Sequence, residues 1–176
     1  MVPEGNRQED EIVKKCRQCH EGMLSVSREN YLYTECGLPN VVLEGVEVRR
    51  CPKCGAHEVL LPRVTELLRV ISHAIVKKPS RLNGAEIRYL RKSMGWSGVD
   101  FAGHIGVDPT TVSRWENDKD NMGVQADRLL RLMIVHGRPV EEYPLEELTK
   151  INDVADRESA RIEIRPNKGG GWHLAA

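Results

Sequence analysis

Two short cysteine pairs constrain this chain most. Cys16-Arg17-Gln18-Cys19 and Cys51-Pro52-Lys53-Cys54 are both C-x-x-C, with 31 residues between them. Each pair forms a knuckle whose two sulfurs point to one place. Two knuckles complete a tetrahedral thiolate shell, the closed arrangement that structural zinc takes. Gly55 follows the second pair and permits the tight turn there. The expected ligands of one structural Zn2+ are therefore Cys16, Cys19, Cys51 and Cys54. The rival is a redox pair, but neither pair sits in a strand-helix redox pattern. His20 and His57 lie just beyond the pairs and are expected at the surface. Cys36 is the odd thiol, reduced and outside the shell. A four-thiolate zinc has no open position for water or substrate, so catalysis by this metal is not expected.

Between the knuckles, residues 31–34 and 41–50 read as extended. VVLEGVEVRR is rich in β-branched residues and alternates over Val46, Glu47, Val48 and Arg49. Gly37, Pro39 and Asn40 mark the turn between the two segments, and residues 57–61 suggest a third strand. So few strands make too small a core alone, and a metal is expected to stabilise them. Pro62 closes the segment. Val64, Leu67, Leu68, Ile71 and Ile75 then repeat at helical spacing, as a connecting helix.

A second constraint lies in WSGVDFAGHIGVDPTTVSRWEN, residues 96–117. It reads as two short helices about a turn at Gly106-Val107. The first spans 98–105, with Phe101, Ala102 and Ile105 on one face. Asp108 is a good N-cap, and Pro109 follows where a missing N–H costs nothing. The second helix turns Val112 and Trp115 inward and leaves Thr110, Thr111 and Arg114 outward. Arg can bond a guanine edge twice, and Thr offers a hydroxyl or touches a thymine methyl. The expected DNA contacts are Pro109, Thr110, Thr111, Ser113, Arg114, Asn117 and Lys119. Lys77, Lys78, Arg81, Arg88, Arg91 and Lys92, against Glu86, form a candidate basic patch whose bland reading is a solvated face. Residues 125–136 carry Leu129, Leu130, Leu132, Met133, Ile134 and Val135, more apolar surface than one small core covers. A homodimer through the C-terminal domain, on a palindromic operator, is the expectation. Leu145, Leu148 and Ile151 suggest a last helix. Residues 161–165 suggest a strand, 168–171 look flexible, and Trp172 hints that the tail docks.

The stretch from Gly106 to Asn117 resembles the Cro/phage-repressor-like (XRE) helix-turn-helix, over residues 82–135. The resemblance implies that Pro109, Thr110 and Arg114 read bases. It also implies a structural ion pair between Arg91 and Glu116. Gly98 stands where such domains usually place a phosphate-gripping Gln. A double C-x-x-C module ahead of such a domain is similar to the MqsA (YgiT-type) zinc-finger/helix-turn-helix antitoxins. The residues carrying this are the four cysteines, Gly37-Leu38-Pro39-Asn40-Val41, Gly45-Val46-Glu47-Val48, and Thr110 to Glu116. That resemblance implies an N-terminal module that binds a toxin protein and a C-terminal one that represses its own operon. Thr110 departs from the Asn expected there, so the operator should differ.

Lys+Arg and Asp+Glu both number 26, a net charge of zero, which argues against a sequence-indifferent polyanion binder. No apolar run is long enough to cross a membrane, and the first residues lack a signal peptide's apolar core. A cytoplasmic, non-membrane, non-enzymatic protein is expected. The expected fold is α+β: a small N-terminal zinc-binding β module, a linker helix, and an all-α five-helix XRE-type domain. The expected boundaries are a flexible start at 1–14, the four-cysteine zinc module at 15–62, the linker helix at 63–79, the DNA-binding and dimerisation domain at 80–152, and a tail at 153–176. Three functions remain open: an antitoxin that also represses, a free-standing zinc-containing regulator, and an adaptor that touches no DNA.

Overall fold

The computed structural model describes residues 14–136 and 161–175. Its elements run β1 (Ser25–Leu32), a 3-10 turn (Thr34–Cys36), β2 (Val41–Arg50), β3 (His57–Val59), α1 (Val64–Lys77), α2 (Gly84–Ser93), α3 (Gly98–Ile105), α4 (Pro109–Glu116), α5 (Val124–His136), β4 (Ile162–Pro166) and β5 (Trp172–Leu174). This is a mixed α+β chain, with a cysteine-bearing strand region followed by five helices among the described residues. The expected last helix around Leu145 and most of residues 1–14 lie outside the described residues.

The chain forms two compact units. The first holds the described residues up to Glu29 together with Val46–Leu61. There β2 pairs antiparallel with β3, Val48 opposite Val59 and Arg50 opposite His57. One buried cluster here is Cys16, Leu24 and Cys51, with Cys19 and Ala56 packed against it, and Val46 and Val48 of β2 are buried in the same unit. Two of the three residues of that cluster are cysteines, so the sulfurs are part of the packing itself.

The second unit holds Asn30–Gly45 and the described residues from Pro62 onward. Here the other half of β2 pairs in parallel with β4, Val41 opposite Ile162 and Leu43 opposite Ile164. β4 returns antiparallel as β5. The turn between them is held by Asn167, whose Oδ1 accepts from the N–H groups of Gly169 and Gly171. Trp172 is buried, and its indole N–H donates to Pro62 O at 2.6 Å. α1 buries Leu67, Ile71 and Ile75 and packs on α2, β4, β5 and α5.

α2 and α3 each start where local chemistry sets them. Asn83 and Glu86 form a reciprocal capping box on α2, as do Ser97 and Asp100 on α3. Gly106 ends α3 at φ 76°, a left-handed position that glycine takes without strain. Phe101, Ala102, Val112, Trp115, Ile87, Leu90, Leu130 and Ile134 form the buried centre. Gly84 permits a close approach: a Cβ there would lie 2.7 Å from both Trp115 O and Glu116 O. The start of α2 therefore rests directly on the end of α4.

Two expectations need correction. The first strand is Ser25–Leu32, and the chain leaves extended geometry before Thr34. Nearly every β1 side chain is exposed, so no apolar alternation announced the strand. The basic patch is largely absent as free charge. Lys78 pairs with buried Glu86, Arg81 with buried Asp127, and both Arg88 and Arg91 with Glu116.

Candidate metal centre and nucleic-acid interface

The two knuckles repeat one backbone device. In the first, the His20 N–H donates to Cys16 O at 3.0 Å; in the second, the Gly55 N–H donates to Cys51 O at 3.0 Å. The fifth residue of each loop is left-handed, His20 at φ 59° and Gly55 at φ 74°. Gly55 carried that signal in the sequence, whereas His20 did not. The loops bring Cys16, Cys19, Cys51 and Cys54 together, with all four Sγ atoms within 4.8 Å of one another. Cys16–Cys54 and Cys19–Cys51 are each 3.6 Å apart. A disulfide would need about 2.05 Å. A tetrahedron with metal–sulfur bonds of about 2.3 Å has edges of about 3.8 Å. The spacing is that of four ligands round one ion, and the all-thiolate donor set suits a structural metal such as zinc.

The surroundings favour thiolate at Cys19 and disfavour it at Cys54. The Gln18 N–H approaches Cys16 Sγ and the Gly22 N–H approaches Cys19 Sγ, both at 3.4 Å. Backbone N–H groups of Glu21 and Gly22 lower the Cys19 thiol to about 6. Cys54 is pushed up to about 12: the Ala56 N–H lowers it, but burial and the other three sulfurs outweigh that. Four sulfurs at contact distance cannot all ionise alone, and a dication relieves that repulsion. Gly22 makes room, because a Cβ there would lie 2.3 Å from Cys51 Sγ. His20 and His57 are exposed and outside the cluster. Cys36 is also outside it; its thiol donates to Tyr33 O at 3.0 Å and is raised by burial.

The second site is the surface of α4. Pro109, Thr110, Ser113, Arg114, Asn117 and Lys119 are exposed, and Thr111 is half-buried. Asp108 caps the helix by accepting from the Thr110 N–H at 2.7 Å. The Thr110 hydroxyl also donates to Asp108, at 2.6 Å. With its proton committed, Thr110 offers an outside group a lone pair and a methyl. These suit an exocyclic amine or a thymine methyl. Arg114 is 55% exposed and forks onto Asp120, with Nη2 3.0 Å from Oδ1. Asn117 is tied at both ends: its amide donates to Ser113 O, and its Oδ1 accepts from Arg88. Arg91 braces α4 from beneath. Its Nε and Nη2 donate to Glu116 at 2.5 and 3.1 Å, and its Nη1 donates to Trp96 O at 2.6 Å. At Gly98, the first residue of α3, no side chain reaches outward. Asp100, two residues on, completes the capping box of that helix with Ser97.

Residues 87–142 match the helix-turn-helix family model HTH_3. No curated protein matches the chain. The match starts within α2 and takes in α3, α4 and α5. It supports a DNA-binding regulator, with α4 as the second helix of the motif. Among the described residues, no helix is long and apolar enough to cross a membrane.

The sequence did not point to several groups that shape this site. Arg88 ties α2 to the end of α4, with Nη2 2.7 Å from Glu116 O. Asp120 holds Arg114. Asp127 and Arg131 are fully buried together, and Arg131 donates to Val76 O, Lys78 O and Ser80 O after the last turn of α1. The i,i+4 spacing of Asp127 and Arg131 was the available signal. On a helix otherwise rich in leucine it reads as an exposed pair.

Proposed function

We propose that this chain is a sequence-specific DNA-binding repressor that serves as the antitoxin of a toxin–antitoxin pair. The observation that carries the DNA half is the exposed face of α4. It presents Thr110 and Arg114 outward while Arg91 and Glu116 lock the helix from inside. Thr110 and Arg114 contact base edges, and Pro109, Thr111, Ser113, Asn117 and Lys119 border the groove. α5 supports a two-fold dimer, since Leu129, Leu132, Met133 and Val135 are only half-buried in the single chain. Two α4 helices would then sit about 34 Å apart on a palindromic operator. Cys16, Cys19, Cys51 and Cys54 hold one Zn2+, which supplies cross-linking and no open coordination position. The zinc module, residues 15–62, is the surface offered to the toxin, and residues 80–152 bind DNA and dimerise. The pairing of two such modules in one chain, and its resemblance to MqsA-type antitoxins, supports the toxin half. The alternative is a free-standing zinc-containing regulator.

Selection from a random duplex pool, followed by binding of Arg114→Ala, tests the DNA half. Loss of a bidentate base contact lowers affinity for the selected site roughly ten- to hundredfold and scarcely changes affinity for a scrambled duplex. An unchanged ratio removes Arg114 from the reading set. Co-purification with the product of the adjacent open reading frame separates the antitoxin from the free-standing regulator.

A further inference from the structure

The second unit contains a cavity of about 530 Å³ that the reading above does not use. It lies between α1, α2 and the Thr34–Cys36 turn. Its size falls within the roughly 300–1,000 Å³ of small-molecule sites. Tyr33, Cys36, Leu68 and Tyr89 give it an apolar and partly aromatic wall. Arg88 and Lys92, one turn apart on α2, give it a cationic side. Lys92 Nζ and Arg88 Nη1 have no hydrogen-bond partner among the described residues. The one acid in the lining, Glu35, already accepts from the Tyr31 hydroxyl. One unpaired ammonium and a guanidinium with Nη1 still open, beside a partly aromatic wall, match one ligand chemistry: a carboxylate on a small planar body.

Arg88 also reaches the DNA-reading helix. Its Nη2 donates to Glu116 O at 2.7 Å and to Asn117 Oδ1 at 3.1 Å, and its Nε lies 3.4 Å from Glu116 Oε2. A carboxylate binds guanidinium best through two parallel N–H groups. Taking Nη1 and Nη2 together draws Nη2 away from the C-terminal end of α4. We propose that this cavity is an effector site for a small aromatic carboxylate, and that occupancy weakens operator binding through Arg88. The effector role rests on the DNA-binding reading; the site itself does not. By linkage, operator binding weakens the carboxylate by the same factor.

The test uses full-length, zinc-loaded, 15N-labelled protein, with benzoate and phenylacetate as probes and benzylamine as the opposite-charge control. The expected result is saturable shifts at millimolar probe, centred on α1, α2 and residues 33–37 and reaching the end of α4 at Glu116 and Asn117, for the two carboxylates alone. Arg88→Gln and Lys92→Gln each weaken them at least tenfold. Lys92 Nζ has no partner to lose among the described residues, so that variant keeps the test valid if Arg88→Gln unfolds. Equal binding of benzylamine, shifts centred elsewhere, or no saturation overturns the site. Operator affinity is then measured with and without saturating benzoate. A several-fold loss that Lys92→Gln removes supports the effector role. Saturation with unchanged operator affinity overturns it. If the pool yields no operator, the DNA reading fails and the first arm still decides the cavity.

Discussion

Replacing Arg131 with Met removes a fully buried charge from the second unit. Arg131 and Asp127 are both fully buried and joined at 2.6 Å. The guanidinium also donates to Val76 O at 2.8 Å, Lys78 O at 2.5 Å and Ser80 O at 2.8 Å. It therefore closes the end of α1 and fixes the path into α2. Met fills much of the same space but leaves three carbonyls and one carboxylate short of a donor. Among the described residues, Asp127 keeps the Leu82 N–H at 2.9 Å and a long contact of 3.4 Å from Arg81. Stranding one member of a buried ion pair costs about 3–5 kcal/mol. At roughly 4 °C per kcal/mol for a unit of this size, the melting temperature falls by about 15 °C. Arg131→Met/Asp127→Asn removes the stranded charge, keeps an acceptor for Leu82, and recovers about 1–2 kcal/mol. Urea unfolding of the zinc-loaded protein, followed by helical circular dichroism, measures both variants. A single-variant loss below about 1 kcal/mol, or a double variant no more stable than the single, would refute the reasoning.

Asp120→Asn frees Arg114 from an exposed, screened pair, so affinity for any duplex rises by roughly two- to fivefold while operator discrimination falls; anisotropy titrations at two salt concentrations check both effects. Gly22→Ala forces a Cβ against Cys51 Sγ and lowers zinc affinity by about ten- to a hundredfold. Competition against a chromophoric chelator reads that loss, and wild-type affinity would mean the knuckle yields freely. Acidification weakens the motif helices through their caps. The Ser97 side chain, then its backbone, lowers Asp100; the Thr110 side chain, then its backbone, lowers Asp108. Both carboxylates thus stabilise the fold above the unfolded value of 3.8, and that contribution is lost as pH falls through their lower folded values. An Asp100→Asn/Asp108→Asn variant should show a flatter acid limb in melting temperature against pH.

What was legible in the sequence was what is local. The C-x-x-C spacing, the Asp108-Pro109 start and the Gly106 stop each act within a few residues, and all can be read without a partner. Structure set by distant partners was not legible. β1 is polar and exposed, and it is a strand because β2 lies beside it. β4 pairs in parallel with a strand more than a hundred residues earlier, a pairing that no local pattern announces. Arg81 and Arg131 look in a sequence like surface cations, yet each is spent inside on Asp127; the Arg91–Glu116 pair was legible only through the family resemblance. The cavity beside Arg88 needs the Thr34–Cys36 turn, α1 and α2 in place, and no one of these segments signals it.

That spending of charge bears on how the chain can recognise DNA. Of the seven proposed contacts, only Arg114 and Lys119 are cationic, and Arg114 is already matched by Asp120. Asp108 sits at the start of the same helix, and Asp118 accepts from the Gly84 N–H at its far end. Nonspecific affinity comes mainly from neutralised phosphates, so this face attracts an arbitrary duplex weakly. Exchanging Asp120 for a guanine edge costs Arg114 little where the edge offers two acceptors, and much where it does not. If Arg114 reads a base as proposed, Asp120 would penalise wrong sequences more than right ones, which is specificity obtained by a competing intramolecular acceptor. With so few cations on this face, operator affinity should depend shallowly on salt and strongly on base identity opposite Arg114, the reverse of a binder that works through a basic patch.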